Sequence, residues 1–86
     1  MDYTDVLIQR IRTLCDKRGL SINRLSVMGG LNQSTLNNIM RGKTKDPQIR
    51  TLHRIALGFC MTLSEFLDFQ ELNEFSFESP SDDEVE

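Results

Sequence analysis

With 86 residues, 38% of them hydrophobic and 27% charged, the chain has room for one domain around one modest core. No stretch approaches the roughly 20 apolar residues of a membrane-spanning helix. The N-terminus, Met1 to Ile11, lacks the basic-then-apolar pattern of a secretory signal, so a cytoplasmic protein is expected.

The net charge of −3 conceals an asymmetry. Residues 1–67 hold all ten Lys and Arg against five acids, a basic body of +5. Residues 68–86 hold eight acids and no base, an acidic end of −8.

In chain order, Val6, Leu7, Ile11 and Leu14 recur near helical spacing from about Thr4 to Arg18. Gly19, after the basic turn Lys17-Arg18, reads as a helix stop. Ser21 is a cap residue for a second helix, about Ile22 to Met28. Gly29-Gly30 breaks the pattern and allows a tight turn, because glycine tolerates positive φ. Asn32 then suits the N-cap of a third helix, Gln33 to Met40. Leu36, Ile39 and Met40 lie on one face of it, and Gln33, Ser34, Asn37 and Asn38 on the other.

Gly42 ends that helix, and the loop to Asp46 carries Lys43 and Lys45. Asp46-Pro47 has the form of a helix start, an acidic cap with proline in the first turn. A fourth helix is expected over about Pro47 to Phe59, with Ile49, Leu52, Ile55, Ala56 and Phe59 on its apolar stripe. Thr62-Leu63-Ser64-Glu65 is a capping box opening a fifth helix, Leu63 to about Phe69. Beyond it, aromatic residues are interleaved with acids, and Ser79 to Glu86 is rich in Ser, Pro and acid. The expected fold is all-α: a compact bundle of five short helices over residues 1–69. An acidic, mostly disordered flexible tail, 70–86, completes the chain.

A short helix, a glycine turn and a second helix with a polar outer face form a helix-turn-helix. To read DNA, that second helix must enter a major groove about 12 Å wide and reach base edges. Amides suit this, since one Gln or Asn offers a donor and an acceptor matched to adenine N6 and N7. The third helix supplies Gln33, Asn37 and Asn38, adds the hydroxyls of Ser34 and Thr35, and contains no acid. Arg41, Lys43 and Lys45 come next, where the chain would pass a phosphate strand. Backbone N–H groups at the starts of helices two, three and four are further phosphate donors.

Other chemistry finds little support. His53 is the sole histidine, which removes a metal cluster and leaves Ser34 or Ser64 without a convincing base. Gly29-Gly30 is not followed by the G-K-[ST] of a phosphate-binding loop. No catalytic residue, cofactor or metal is therefore expected. Cys15 and Cys60 are expected as buried small hydrophobes.

Residues Ile11 to Leu67 resemble the phage-repressor and Cro class of helix-turn-helix domains, the Xre-like family. The resemblance rests on ordered pieces. They are Ile11-Arg12-x-Leu14, Gly19-Leu20-Ser21, Leu25-Ser26, Gly30-Leu31-Asn32, Ser34-Thr35-Leu36 and Ile39-x-Arg41-Gly42-Lys43. Pro47, Leu52, Ile55-Ala56 and Thr62-Leu63-x-Glu65-Phe66 continue the series.

The resemblance implies a lambda-repressor-like five-helix bundle that binds operator DNA, commonly as a dimer. By matched position, Gln33, Ser34 and Asn38 are its base readers, with Asn37 as neighbour. Arg41, Lys43 and Lys45 match its backbone contacts, and Asn32 and Thr35 are further candidates for the DNA backbone. Three positions depart from the family pattern. Ile22 stands where a bracing Gln is common. Cys15 and Met40 replace a frequent Arg–Glu pair, an exchange that well-packed apolar groups tolerate. Asp46 stands where a base is common, and near phosphates it would repel unless turned inward.

The leading reading is a sequence-specific, dimeric transcriptional regulator, a repressor, acting on double-stranded DNA. Phe66, Leu67, Phe69, Leu72 and Phe75 are candidates for the dimer surface. The alternative is an antitoxin or partner-controlled module whose acidic tail, from Asp68, binds a basic protein or competes with DNA for the body's own basic surface.

Overall fold

The computed structural model describes residues 2–77. The expected disorder of residues 78–86 lies outside them. Six helices occur in the described part: α1 (Tyr3–Arg18), α2 (Ile22–Gly29), α3 (Gln33–Met40), α4 (Ile49–Gly58), α5 (Leu63–Leu67) and α6 (Gln70–Asn73).

Local chemistry sets most of the boundaries. Asp2 and Asp5 form a reciprocal capping box, which starts α1 one residue before the expected Thr4. Gly19 closes it in the left-handed region at φ 65°. Ser21 accepts a hydrogen bond from the Arg24 N–H to start α2, and Thr62 and Glu65 close the expected capping box of α5.

Four expectations are corrected. The fourth helix begins at Ile49, not at Asp46-Pro47, and Gln48 occupies the cap position. Asp46 is committed elsewhere: it sits at φ 58° and its carboxylate accepts the Tyr3 hydroxyl. Pro47 is buried, whereas Ile49, expected on the apolar stripe, is 61% exposed. The fifth helix stops at Leu67, and a sixth turn of helix, α6, occupies part of the expected tail. Cys60 is exposed at φ 62° just past α4, so only Cys15 is a buried thiol.

The core gathers Leu7, Ile11 and Leu14 of α1, Leu25 of α2, Leu36 and Ile39 of α3, Leu52, Ile55 and Ala56 of α4, and the rings of Phe59 and Phe66. Those two rings stack at 6.2 Å between centroids. Each buried Leu, Ile or Phe side chain contributes about 1.5–3 kcal/mol by leaving water. Cys15 is in the same cluster and Met40 packs against it, so apolar residues fill both positions where an ion pair is common. Burial first, and the neighbouring Asp16 charge second, push the Cys15 thiol pKa up. Phe66 is fully buried and so closes the core rather than offering a docking surface.

Two arginines hold the periphery. Arg10 donates to the Phe66 carbonyl and the Glu65 carbonyl, both at 3.0 Å, and lies over the Phe69 ring. Arg18 donates to the Phe59 carbonyl. These contacts satisfy the Phe66 and Phe59 carbonyls near the ends of α5 and α4, while the Glu65 carbonyl also accepts the Asp68 N–H at 3.3 Å.

Candidate nucleic-acid interface

The helix-turn-helix is α2, the turn through Gly30 to Asn32, and α3. Its two glycines do different work. Gly30 is the left-handed cap at φ 70°, the role expected of the pair. Gly29 is the last helical residue, where α2 crosses α4. A Cβ there would fall 2.4 Å from the Arg54 carbonyl oxygen. Gly58 on α4 answers it, since a Cβ at that position would fall 2.8 Å from Leu25 Cδ1 and 3.2 Å from the Gly29 nitrogen. The crossing is backbone against backbone, and it fixes the angle at which the turn presents α3.

On α3, Leu36 and Ile39 are buried, while Gln33, Ser34 and Asn38 are exposed and Asn37 and Thr35 are half-buried. The helix therefore turns its amide and hydroxyl face outward, and it contains no acid. Asn32 holds the N-cap position without a side-chain cap bond. Helix α4 likewise starts without one, whereas Ser21 occupies a donor at the start of α2. Of the three expected helix-start donors, those of α3 and α4 are the more open. Ile22 is half-buried against the core and supplies no polar brace to Gln33.

The loop after α3 is folded onto the end of that helix. Gly42 N–H donates to the Ile39 carbonyl at 2.9 Å. The Lys43 and Thr44 N–H groups share the Asn38 carbonyl at 2.9 and 3.2 Å. Arg41, Lys43 and Lys45 are exposed, so three cations stand at a fixed offset from Asn38. Lys45 meets Asp2 at 3.6 Å, with both side chains more than half exposed, a pair too solvated to hold the lysine firmly.

Asp46 remains exposed at the surface, but it is tied to the start of α1. Its carboxylate accepts the Tyr3 hydroxyl, and its N–H donates to Thr4 Oγ1 at 3.4 Å. Burial, reinforced by that carboxylate, pushes the Tyr3 pKa up to about 12. Asp2, by contrast, is held below the usual carboxylate range, first by the Asp5 N–H and further by Lys45. Residues 2–4 thus clasp the loop that carries the cations. Sequence reasoning missed this clasp, because nothing local links Tyr3 to a residue 43 positions away.

Among the described residues no group of three His, Cys, Asp or Glu side chains could hold a metal ion, and no helix is long and apolar enough to cross a membrane.

Comparison with known proteins agrees with this geometry. Residues 10–71 match the sequence profile of the Cro/C1-type HTH DNA-binding domain. Among solved structures, the crystal structure of the prophage Lp1 protein 11 is similar with a TM-score of 0.75 and 30% identity. The match covers 87% of this chain and all of that one. The SinR protein/SinI protein complex contains a chain of similar fold. Its TM-score is 0.64 at 24% identity, over 81% of this chain and 68% of that one. A comparison with curated proteins found no match. With the profile spanning most of the chain and a polar helix mounted outward on a helix-turn-helix, the chain belongs to the Cro/C1-type family of helix-turn-helix DNA-binding regulators, a non-enzymatic family.

Proposed function

We propose that this regulator binds double-stranded DNA sequence-specifically and acts as a repressor in the cytoplasm. Gln33, Ser34, Asn37 and Asn38 read base edges. Asn32, Thr35, Arg41, Lys43 and Lys45 contact the backbone. The observation that carries this reading is the exposed, acid-free amide and hydroxyl face of α3, with the cationic loop hooked to the Asn38 carbonyl. Phosphate contacts set register and most of the affinity, while the amides choose the sequence.

One short reading helix contacts few base pairs, so a homodimer placing two such helices about 34 Å apart is part of the proposal. Its surface is drawn from Leu67, Phe69, Leu72 and Phe75, all half-buried. Selection from a randomised duplex library, repeated at rising salt, tests the whole. One enriched motif with steep loss of binding as salt rises is expected. Binding without enrichment would remove sequence specificity.

A protein partner is a second reading, which would make the chain an antitoxin or a partner-controlled regulator. A largely apolar groove lined by Tyr3, Pro47, Ile49, Leu72 and Phe77 favours it, since Ile49 and Phe77 are 61% and 62% exposed there.

A further inference from the structure

The loop between α3 and α4 is held at both ends, and the two ends differ in kind. At its start the hold is backbone to backbone: Gly42 donates to the Ile39 carbonyl, and Lys43 and Thr44 donate to that of Asn38. At its exit the hold comes from the first turn of α1. The Asp46 carboxylate accepts the Tyr3 hydroxyl, and the Asp46 N–H donates to Oγ1 of the buried Thr4. Lys45, one residue earlier, meets Asp2, itself fixed by the capping box of α1.

Asp46 lies at φ 58°, in the left-handed region, which a residue other than glycine keeps only where its surroundings hold it. It is also an acid beside Lys43 and Lys45, so it lowers the positive potential that would draw phosphates. Its hydrogen bond to Tyr3 offsets both costs. The anchor is stiff. The Tyr3 ring packs against the core, and Pro47, next in the chain, is buried and lines one groove with Tyr3, Leu7 and Leu52.

We propose that Tyr3 is a positioning residue for DNA binding: through Asp46 it pins the exit of the loop, so that Lys43 and Lys45 stand ready for phosphates before DNA arrives. The inference rests on the reading of that loop as a DNA-backbone contact. A loop ordered in advance loses little further freedom on binding, whereas a loose one is ordered at the expense of affinity. If loss of the clasp leaves the loop in place about a third of the time, apparent affinity falls about threefold. The same phosphates are still met in the complex, so the same number of counterions is released. Lower affinity at an unchanged salt slope is therefore the signature of positioning, while a lost phosphate contact lowers both.

Four proteins test this: the parent chain, Tyr3→Phe, Asp46→Gly and the double variant. Tyr3→Phe deletes the hydroxyl and keeps the ring against Phe77, and glycine accepts φ 58° without strain. Backbone amide relaxation is recorded without DNA. Affinity is measured over a salt series for a mixed-sequence duplex and for the duplex that selection enriches. In Tyr3→Phe the order parameters of Lys43 to Asp46 should fall from about 0.85 toward about 0.6. Affinity should fall about threefold for both duplexes, with the slope of log affinity against log salt unchanged. With the acceptor already gone in Asp46→Gly, Tyr3→Phe should change neither readout further. Removal of the Asp46 charge affects both Asp46→Gly chains alike and cancels in that comparison.

Either readout equal to the parent's in Tyr3→Phe would overturn the proposal, and the parent's own binding would keep the DNA reading. A slope reduced by about one would also overturn it, since Tyr3 would then be a phosphate contact itself. So would the same loss from Tyr3→Phe in the Asp46→Gly background. If Asp46→Gly fails to fold, loosened loop amides and an unchanged slope in Tyr3→Phe carry the comparison. No duplex binding by the parent would remove the DNA reading itself, and the positioning role with it.

Discussion

Where α2 crosses α4, the protein leaves no slack: a methyl group at Gly29 would stand 2.4 Å from a backbone oxygen. On the outer face of α3, Gln33, Ser34 and Asn38 are exposed, and their side chains make no hydrogen bond within the described residues. The first region is dry and fixed, and the second is wet and uncommitted. The contrast separates two requirements of reading DNA. The mount sets where the helix stands and must not yield. The amides exchange water for base edges, and a partner inside the protein would have to be broken first.

The comparison breaks most sharply at Gly29. Gly29→Ala should destabilise the fold by about 3 kcal/mol, because the clash is with backbone that cannot rotate away. Its denaturation midpoint should fall, and DNA binding should fall with the fold. Gln33→Ala and Asn38→Ala should do the reverse. Each should cost about 2 kcal/mol of base discrimination while stability stays within about 0.5 kcal/mol. A large drop in melting temperature for either would show that the outer face is part of the mount.

Lys43→Ala should weaken binding to all duplexes alike and reduce the slope of log affinity against log salt by about one, with no change in sequence preference. The loop's fixed offset from Asn38 is a backbone matter, so it should survive that change.

The smallest effect concerns the clasp. Tyr3 is the only tyrosine, so tyrosinate absorbance reports it alone. It should titrate near 12 rather than 10, and Asp46→Asn should lower it. Because its folded value is raised, the stabilisation from this group is complete below pH 10 and is lost as pH rises toward 12. Titration at the ordinary value in the folded protein would mean that the clasp is open in solution.

Much of this was legible in the sequence because its causes are local. The apolar face of α3, the Ser21 cap, the Thr62–Glu65 capping box and the Gly19 stop each depend on residues within a turn or two, and each stands as read. The outward placement of Gln33, Ser34 and Asn38 comes from the same helical period. Asp46-Pro47 misled because its caps-and-proline form is equally a loop, and only a distant tyrosine decides which. Cys60 was expected inside on its apolar character, but the chain has already turned at Phe59 to leave α4.

By itself the sequence determined the helices that carry their own start and stop signals, the polar face of α3 and the opposition between a basic body and an acidic end. Periodicity, capping and charge are properties of neighbours along the chain, so they survive without coordinates. The tertiary structure decided why one glycine of the pair must be glycine, where Asp46 points, which cysteine is exposed and where the acidic end departs. Each of those depends on elements meeting across tens of residues. Closure of the core fixes such meetings, and local preference does not specify them.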